Sequence, residues 1–525
     1  MRDFQTPGRS AVLTTEGMCA TSHPLAAATA VDILRRGGNA VDAAIAGAVL
    51  LGICEPQMTG IGGDCFVLLS PPGNDEVIGL NGSGRAPAAA DPEALRAAGH
   101  GTVPVDSAAA VTIPGAVDAF CRLSESHGRL GLDAVLAPAI HYAEAGVPVA
   151  PRVAADWVAD ADRLQGAGRR YYLSAGAAPG VGTLFRAPGQ AEVLRRIARH
   201  GRAGFYEGEV AEDMLAALRG AGGGHAALDF ATTEATPTRP IAGSYRGMEL
   251  LEHPPNGQGA TAILLANILA HFDIAALDPW GAERVHLEAE ATKLAYELRN
   301  RLIADQDHAA RAERMLAPET AAHLAERIRP DAVLDDPAPL TEAVHRDTVY
   351  LTVVDRDRMA VSLIYSIFHG FGSGLASEKF GILFQNRGAG FTLERGHPNE
   401  MGPGKRPMHT IIPGMLRQEG RVVMPFGVMG GQYQSTGHAR FLSNVVDFGM
   451  DPQAAIDGPR AFAEAGELRL ERGYAARARQ QLEALGHEVV TPAKGIGGAQ
   501  AIRIHESGVL EGGSDPRKDG CALGY

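Results

Sequence analysis

The stretch Asp347-Thr348-Val349-Tyr350-Leu351-Thr352-Val353-Val354-Asp355 puts a threonine at the head of a strand, after a charged and turn-prone connector. Val349, Leu351 and Val353 alternate with Tyr350, Thr352 and Val354, and β-branched and aromatic types of this kind fit a pleated sheet. Upstream lie Pro337-Ala338-Pro339 and the polar run from Thr341 to Asp347, so the pattern predicts a linker that meets a buried strand at Thr348.

Thr348 has an ordinary reading as a β-former at a strand edge, because nothing beside an interior hydroxyl takes its proton near neutral pH. Cleavage of the Asp347–Thr348 peptide bond would change that chemistry. Thr348 would gain a free α-amine with a reference pKa of about 7.7–8.0, close enough to working pH to accept the hydroxyl proton. One residue would then hold both nucleophile and base.

Four motifs follow in order: Gly370-Phe-Gly-Ser-Gly374, Gly381-Ile-Leu-Phe-Gln-Asn386, Gly402-Pro-Gly-Lys-Arg-Pro407 and Met429-Gly-Gly431. Together they resemble the small-subunit half of the γ-glutamyltranspeptidases, N-terminal-nucleophile hydrolases that cut themselves immediately before a catalytic threonine. Earlier in the chain, Arg36-Gly-Gly-Asn-Ala-Val-Asp-Ala-Ala44, Glu55-Pro-Gln-Met-Thr-Gly-Ile-Gly-Gly63 and Val111-Thr-Ile-Pro-Gly-Ala116 look like that family's large subunit. The resemblance covers nearly the whole chain. It implies a large-subunit-like part over 1–347, mostly helical, and a small-subunit-like part over 348–525, cut between Asp347 and Thr348 and together forming one domain.

Composition sets the outer limits. With 525 residues, 45% hydrophobic and 21% charged, the chain can bury a large core. Its formal charge of −13 and lack of a basic stripe argue against nucleic acid as a partner. Five cysteines without CxxC spacing suggest neither a disulfide framework nor a zinc site. No secretion signal or long uncharged apolar run stands out, so the expectation is a cytoplasmic protein without a membrane anchor. Many members of the resembled family are exported, and their extracellular role is not carried over. Homo-oligomerisation is left open.

Local signals predict a helix capped at Ser22 and ended by Gly37-Gly38, a second from Ala40 to Ile53, and a third over Trp280 to Ala304. Strands are expected at 65–69 and 76–80, around the turn Pro71 to Asp75. After Thr348 they are expected at 349–354, 359–366, 381–385, 409–416, 421–428 and 499–505, with helices at 432–448 and 475–485. Two antiparallel sheets covered by helices on both outer faces satisfy this pattern: an α+β, four-layer αββα sandwich, matching the fold of the resembled family.

The resemblance assigns the remaining site. Gly430 and Gly431 match the family's oxyanion-hole pair, where absent side chains let backbone N–H groups approach; an ordinary helix-entry turn is the alternative. Ser366, eighteen residues after Thr348, stands where the family's supporting hydroxyl is usually a threonine. The positions that hold a γ-glutamyl head group read Phe368, Arg387, Gly390, His409 and Thr410, so the aspartate that would pair with an α-ammonium is missing. The family's carboxylate-clamping arginine falls near Ser83, two residues before Arg85. An Arg85/Arg387 pair would suit a carboxylate through planar bidentate hydrogen bonds; the alternative for either arginine is a solvated surface residue. His409 and Thr410 are expected to line the pocket.

A self-cleaving γ-glutamyltransferase or glutathione hydrolase-like amidohydrolase is therefore the first expectation, acting on a small-molecule amide and needing neither metal nor organic cofactor. A second is a hydrolase of amides without a γ-glutamyl group, of the oxamate amidohydrolase or cephalosporin and glutaryl acylase type. A third is a non-catalytic homologue that binds a carboxylate.

Overall fold

The strand Val349–Val354 is buried on both faces. In the computed structural model, which describes residues 5, 8–73, 76–308, 311–334 and 348–525, Val349, Leu351 and Val353 pack among residues of the helices Pro24–Arg35 and Ala40–Cys54. Tyr350 and Val354 point the other way, toward a second sheet. This alternation stacks the molecule into helices, sheet, sheet and helices, the αββα sandwich that the pattern predicts. Among the described residues no helix is long and apolar enough to cross a membrane.

Each sheet has seven strands, and within each all neighbours run antiparallel. The first runs in the order Cys521–Gly524, Met18–Thr21, Val349–Val354, Ala360–Ser366, Asp64–Ser70, Ile78–Gly82 and Thr236–Thr238. The second runs Val12–Thr14, Leu510–Ser514, Gly498–Ile504, Arg421–Met429, Gly414–Gln418, Met248–Glu252 and Ile241–Tyr245. Segments from both sides of Thr348 thus build both sheets. The helices Gly259–Leu269 and Gln434–Val446 cover the second sheet's outer face.

One contact joins the sheets beside Thr348. A Cβ at Gly427 would lie 2.3 Å from Tyr350 Cε2, so the tyrosine ring rests directly on the facing backbone. The Tyr350 hydroxyl is 2.7 Å from Ser362 Oγ, and Ser362 Oγ donates across the gap to the Phe426 carbonyl at 3.2 Å.

Several expectations need correction. Ser22 is not the helix cap: Pro24 opens the helix, His23 Nδ1 accepts from Leu25 N, and Ser22 donates to Glu55 at 2.5 Å. Residues 381–385 form no regular strand, because the glycine-rich run folds back on them through Ser373 N to Phe384 O and Phe384 N to Leu375 O. The strand expected from 409 begins only at Gly414; Pro413, which has no N–H to donate, precedes it. The sequence pattern does not announce the strands Val12–Thr14, Met18–Thr21, Thr236–Thr238, Ile241–Tyr245, Met248–Glu252, Leu510–Ser514 and Cys521–Gly524; they have 3 to 5 residues each, too few to display a period. The connector over 337–347, including Asp347, and the turn residues Asn74 and Asp75 lie outside the described residues.

The Tyr350–Gly427 contact yields a prediction. Gly427→Ala forces a methyl group against a fully buried ring and costs about 1–3 kcal/mol of stability, as overpacking does elsewhere. Chemical denaturation checks this, and adding Tyr350→Val relieves the clash so that the double variant loses less than the two single losses added together. Strict additivity would mean the two residues do not bear on each other.

Candidate active site

Thr348 precedes the first residue of its strand and is 2% exposed. Its Oγ1 lies 3.5 Å from Ser366 Oγ, a long contact between two hydroxyls on adjacent antiparallel strands. Ser366 Oγ accepts from Phe368 N at 2.8 Å and from Arg387 Nη2 at 3.1 Å. Arg387 Nη1 donates to Thr410 Oγ1 at 3.1 Å. The guanidinium lies 4.0 Å from the centre of the Phe368 ring, within cation–π range. Phe368 has φ +83°, so its ring reaches the guanidinium from a left-handed backbone.

Asp64 stands behind this chain of contacts. Its strand pairs with Ala360–Ser366 so that Asp64 lies opposite Ser366. Asp64 Oδ1 accepts from Gly84 N, Gly115 N and Gln385 Nε2, and Oδ2 faces His409 Nε2 at 3.0 Å. Burial pushes this carboxyl up to about 6, against the opposing pull of Arg387, Gln385 and the two backbone N–H groups. Burial also drives His409 well below its ordinary range, with Arg387, Arg406 and His253 adding to the effect. His409 is therefore neutral, its Nε2 donating to Asp64 and its edge turned toward the Phe66 ring.

The strand Arg421–Met429 ends in the glycine pair. Gly430 has φ +116° and Gly431 φ +58°, and a Cβ on Gly430 would come within 2.8 Å of Gly497 Cα. Conformation and close approach both require glycine here. Gln258 Nε2 donates to the Gly431 and Thr410 carbonyls, while its Oε1 accepts from Arg299 Nη1, which also donates to Gln432 Oε1. Gly430 and Thr348 line the same cleft.

Of the expected site residues, Thr348, Ser366, Arg387 and Thr410 come together, with His409 one step behind through Asp64. Arg85 does not join Arg387. Its guanidinium donates to Asp305, Asp307 and the Gly404 carbonyl, so the fork meant for a carboxylate is engaged by two of the chain's own acids. Sequence reasoning missed Asp64, Gln258, Arg299 and Gln432. An acid heading the apolar run Cys65 to Leu69, and an arginine among the helical Leu294, Ala295, Leu298 and Leu302, were signals that could have found two of them.

Among the described residues, His286, Glu290 and His487 form the one group whose donor atoms could gather around a metal ion. His286 Nδ1 faces His487 Nε2 at 2.8 Å, and Glu290 accepts from Lys293 Nζ and Leu334 N, so all three have partners within the protein. None of the three lines the cleft beside Thr348.

A layered sandwich with a threonine at the head of an interior strand, a second hydroxyl beside it and a glycine turn across the cleft is the architecture of the N-terminal-nucleophile hydrolases. The family model for gamma-glutamyltranspeptidase matches residues 26–525, and the chain belongs to that family. It is 35% identical to the glutathione hydrolase-like YwrD proenzyme of Bacillus subtilis over 98% of this chain and 99% of that protein. It is also 35% identical to the oxamate amidohydrolase proenzyme of Klebsiella pneumoniae, over 98% of this chain and 100% of that protein. The crystal structure of cephalosporin acylase from Bacillus halodurans superposes with a TM-score of 0.93 at 37% identity, covering 100% of this chain and 99% of that one.

Ser366→Ala removes the acceptor shared by Phe368 N and Arg387, and kcat/KM should fall about 10- to 100-fold, the range for losing a buried charge-assisted hydrogen bond. Ser366→Thr, which keeps the hydroxyl, should recover most of the loss; an alanine variant as active as wild type would remove Ser366 from the site.

Asp64 predicts a pH effect. Below about 6 its carboxyl takes up a proton and Arg387 loses its countercharge. If the Thr348 amine must also be neutral, log(kcat/KM) of mature enzyme rises with slope two below pH 6 and slope one just above it. Asp64→Asn should show slope one throughout this acidic limb, and an unchanged profile in that variant would exclude Asp64 as the second group.

Proposed function

We propose that this chain is a self-cleaving amidohydrolase that uses Thr348, freed as an N-terminal residue, to form an acyl-enzyme with a small-molecule amide. The observation that carries the reading is that Thr348 lines the same cleft as Gly430, with Ser366 Oγ 3.5 Å from its own hydroxyl. The proenzyme names of the relatives support cleavage into 1–347 and 348–525.

In the first half-reaction Oγ1 attacks the amide carbon and its proton passes to the Thr348 α-amine. Gly430 and Gly431 hold the oxyanion through backbone N–H groups. Collapse of the tetrahedral intermediate breaks the C–N bond, and the leaving nitrogen takes the proton from the α-ammonium. Water then attacks the threonine ester with the same amine as base, releasing the acid. An acceptor amine in place of water gives transfer instead of hydrolysis.

Glutathione hydrolase-like chemistry on γ-glutamyl amides is the first reading, on the strength of family membership. Hydrolysis of an amide without that head group is the second. It is favoured by Arg387, whose stacked phenyl ring and hydroxyl partners offer a carboxylate site but no acid for an α-ammonium, since the nearby Asp64 is engaged by four donors. A reducing cytoplasmic setting belongs to the same reading and is supported by five free cysteines.

Intact-mass spectrometry should find two chains, the shorter beginning at Thr348, and Thr348→Ala should remain whole and inactive. Comparing γ-glutamyl-p-nitroanilide with oxamate and glutaryl amides assigns the acyl group: release from only the latter pair selects the second reading. Wild type that turns over amides as one uncut chain contradicts the mechanism.

A further inference from the structure

Two adjacent glycines let backbone N–H groups approach a reacting oxygen, and they also let their peptide planes turn over at little cost, because glycine accepts φ of either sign. Gly430 and Gly431 therefore need to be held from outside if their N–H groups are to keep one direction. Each carbonyl of the turn has a donor: Gly430 O accepts from Tyr433 N at 3.1 Å, Gly431 O from Gln258 Nε2 at 3.1 Å, and Gln432 O from the Tyr296 hydroxyl. In a planar trans peptide the carbonyl and the next N–H point opposite ways, so a held carbonyl fixes the N–H that follows it.

Gln258 reaches furthest of these donors. It precedes the helix Gly259–Leu269, yet its side chain makes no capping bond there. Its Nε2 donates instead to carbonyls on two different walls: Gly431 O in the turn, and Thr410 O at 2.7 Å in the segment whose hydroxyl meets Arg387. The amide is fully buried, and Arg299 sets which way round it sits. Arg299 Nη1 donates to Gln258 Oε1 at 2.9 Å and to Gln432 Oε1 at 2.6 Å. A guanidinium has donors only, so it takes the oxygen of Gln258 and leaves the nitrogen facing the two carbonyls. Arg299 is itself buried on the helix Ala282–Leu302, stacked 4.1 Å from the centre of the Tyr296 ring, with Nε and Nη2 both on Asn300 Oδ1.

Gln258, Tyr296 and Arg299 lie before Asp347, whereas Thr410, Gly431 and Gln432 follow Thr348. A cut between Asp347 and Thr348 leaves the glycine turn on one chain and the side chains that hold it on the other. We infer that Gln258 and Arg299 are positioning residues of the reaction: through Gly431 O and Thr410 O they fix the oxyanion turn in direction and in distance from the wall formed by Arg387 and Thr410. The inference rests on the amidohydrolase reading, in which Gly430 and Gly431 hold the oxyanion, and it gives the longer chain a task in catalysis that the shorter one cannot perform alone.

Mature Gln258→Met and Gln258→Glu test it. Glutamate keeps the length and can still accept from Arg299, but when ionised it has no proton for either carbonyl. In both variants kcat should fall about 10- to 100-fold with KM little changed, the size expected when reacting groups shift by up to about an ångström. An ester substrate and its thionoester, built on the acyl group the amide panel selects, separate positioning from general damage: donors aimed at an oxyanion favour oxygen over sulfur, and a misaligned turn should cut the oxygen-to-sulfur ratio of kcat/KM by about threefold or more. A partly unfolded sample loses both rates equally and leaves that ratio alone. Arg299→Lys, which can still donate to the amide oxygens, should show part of the shift, and it decides the matter if neither Gln258 variant matures. A ratio that stays at the wild-type value overturns this inference, whatever happens to kcat, and leaves the amidohydrolase reading standing. Wild type that turns over neither these esters nor the p-nitroanilide and oxamate substrates overturns both.

Discussion

The ring of Tyr350 lying on the backbone of Gly427 is the constraint on which the site depends. Tyr350 is two residues beyond Thr348, and Gly427 is three residues before Gly430. One sheet therefore carries Thr348, the facing sheet carries the glycine turn, and their spacing is set where a buried aromatic ring meets a residue with no side chain. Close-packed interiors do not deform gradually, so such a contact behaves as a hard stop. The Tyr350–Ser362–Phe426 hydrogen bonds add direction, since sliding one sheet across the other would break them. Placing a reactive hydroxyl against oxyanion donors demands sub-ångström precision, and a strand pinned at its second residue supplies it more readily than a loop.

Electrostatics supply the next layer. Arg387 is fully buried in a region that would expel an isolated charge. Asp64 compensates it at a distance, and Ser366, Thr410 and Phe368 meet the guanidinium directly. The strand register that sets Asp64 opposite Ser366 makes this arrangement a consequence of topology. Removing one member of such a set leaves the others buried with fewer partners, which costs more than the net worth of any single bond. His409 stays neutral for the same reason: burial and three neighbouring cationic or potentially cationic groups leave no room for another positive charge. A role as a neutral donor to Asp64 fits it better than a role as a proton carrier.

How far the sequence revealed this follows physical lines. The interior strand 349–354 was readable because both its faces are buried, and 421–428 because both faces are buried from Met424 onward. So was the helix Ala40–Cys54, whose Asn39 and Asp42 form a capping box. The short strands Val12–Thr14 and Thr236–Thr238 were not, because register with a neighbour makes them strands and their own composition does not. Within the site, motif order singled out Thr348, Ser366 and the glycines as candidates, and the fold sets Thr348 beside Ser366 and on the same cleft as Gly430. The partners of Arg85 were not legible, because spacing along a loop says nothing about which acids the fold brings near; Asp305 and Asp307 lie some 220 positions away. Asp64 was overlooked for the converse reason, since its importance comes from pairing across strands.

Thr348 thus separates two environments of the same sign and different character. On the deep side a single arginine is locked by hydroxyls, a phenyl ring and a distant carboxylate, a rigid setting suited to recognising one acyl group by shape and bidentate hydrogen bonds. On the other side Arg152 and Lys494 share Asp156, Arg469 meets Glu464, and the cleft reaches solvent past the half-buried Pro492, Lys494 and Gly495. A closed, hydrogen-bonded wall on one side of Thr348 and a solvent-reaching wall on the other is an arrangement that the proposed two-step acyl transfer can use, because one half of the substrate stays through both steps and the other departs after the first.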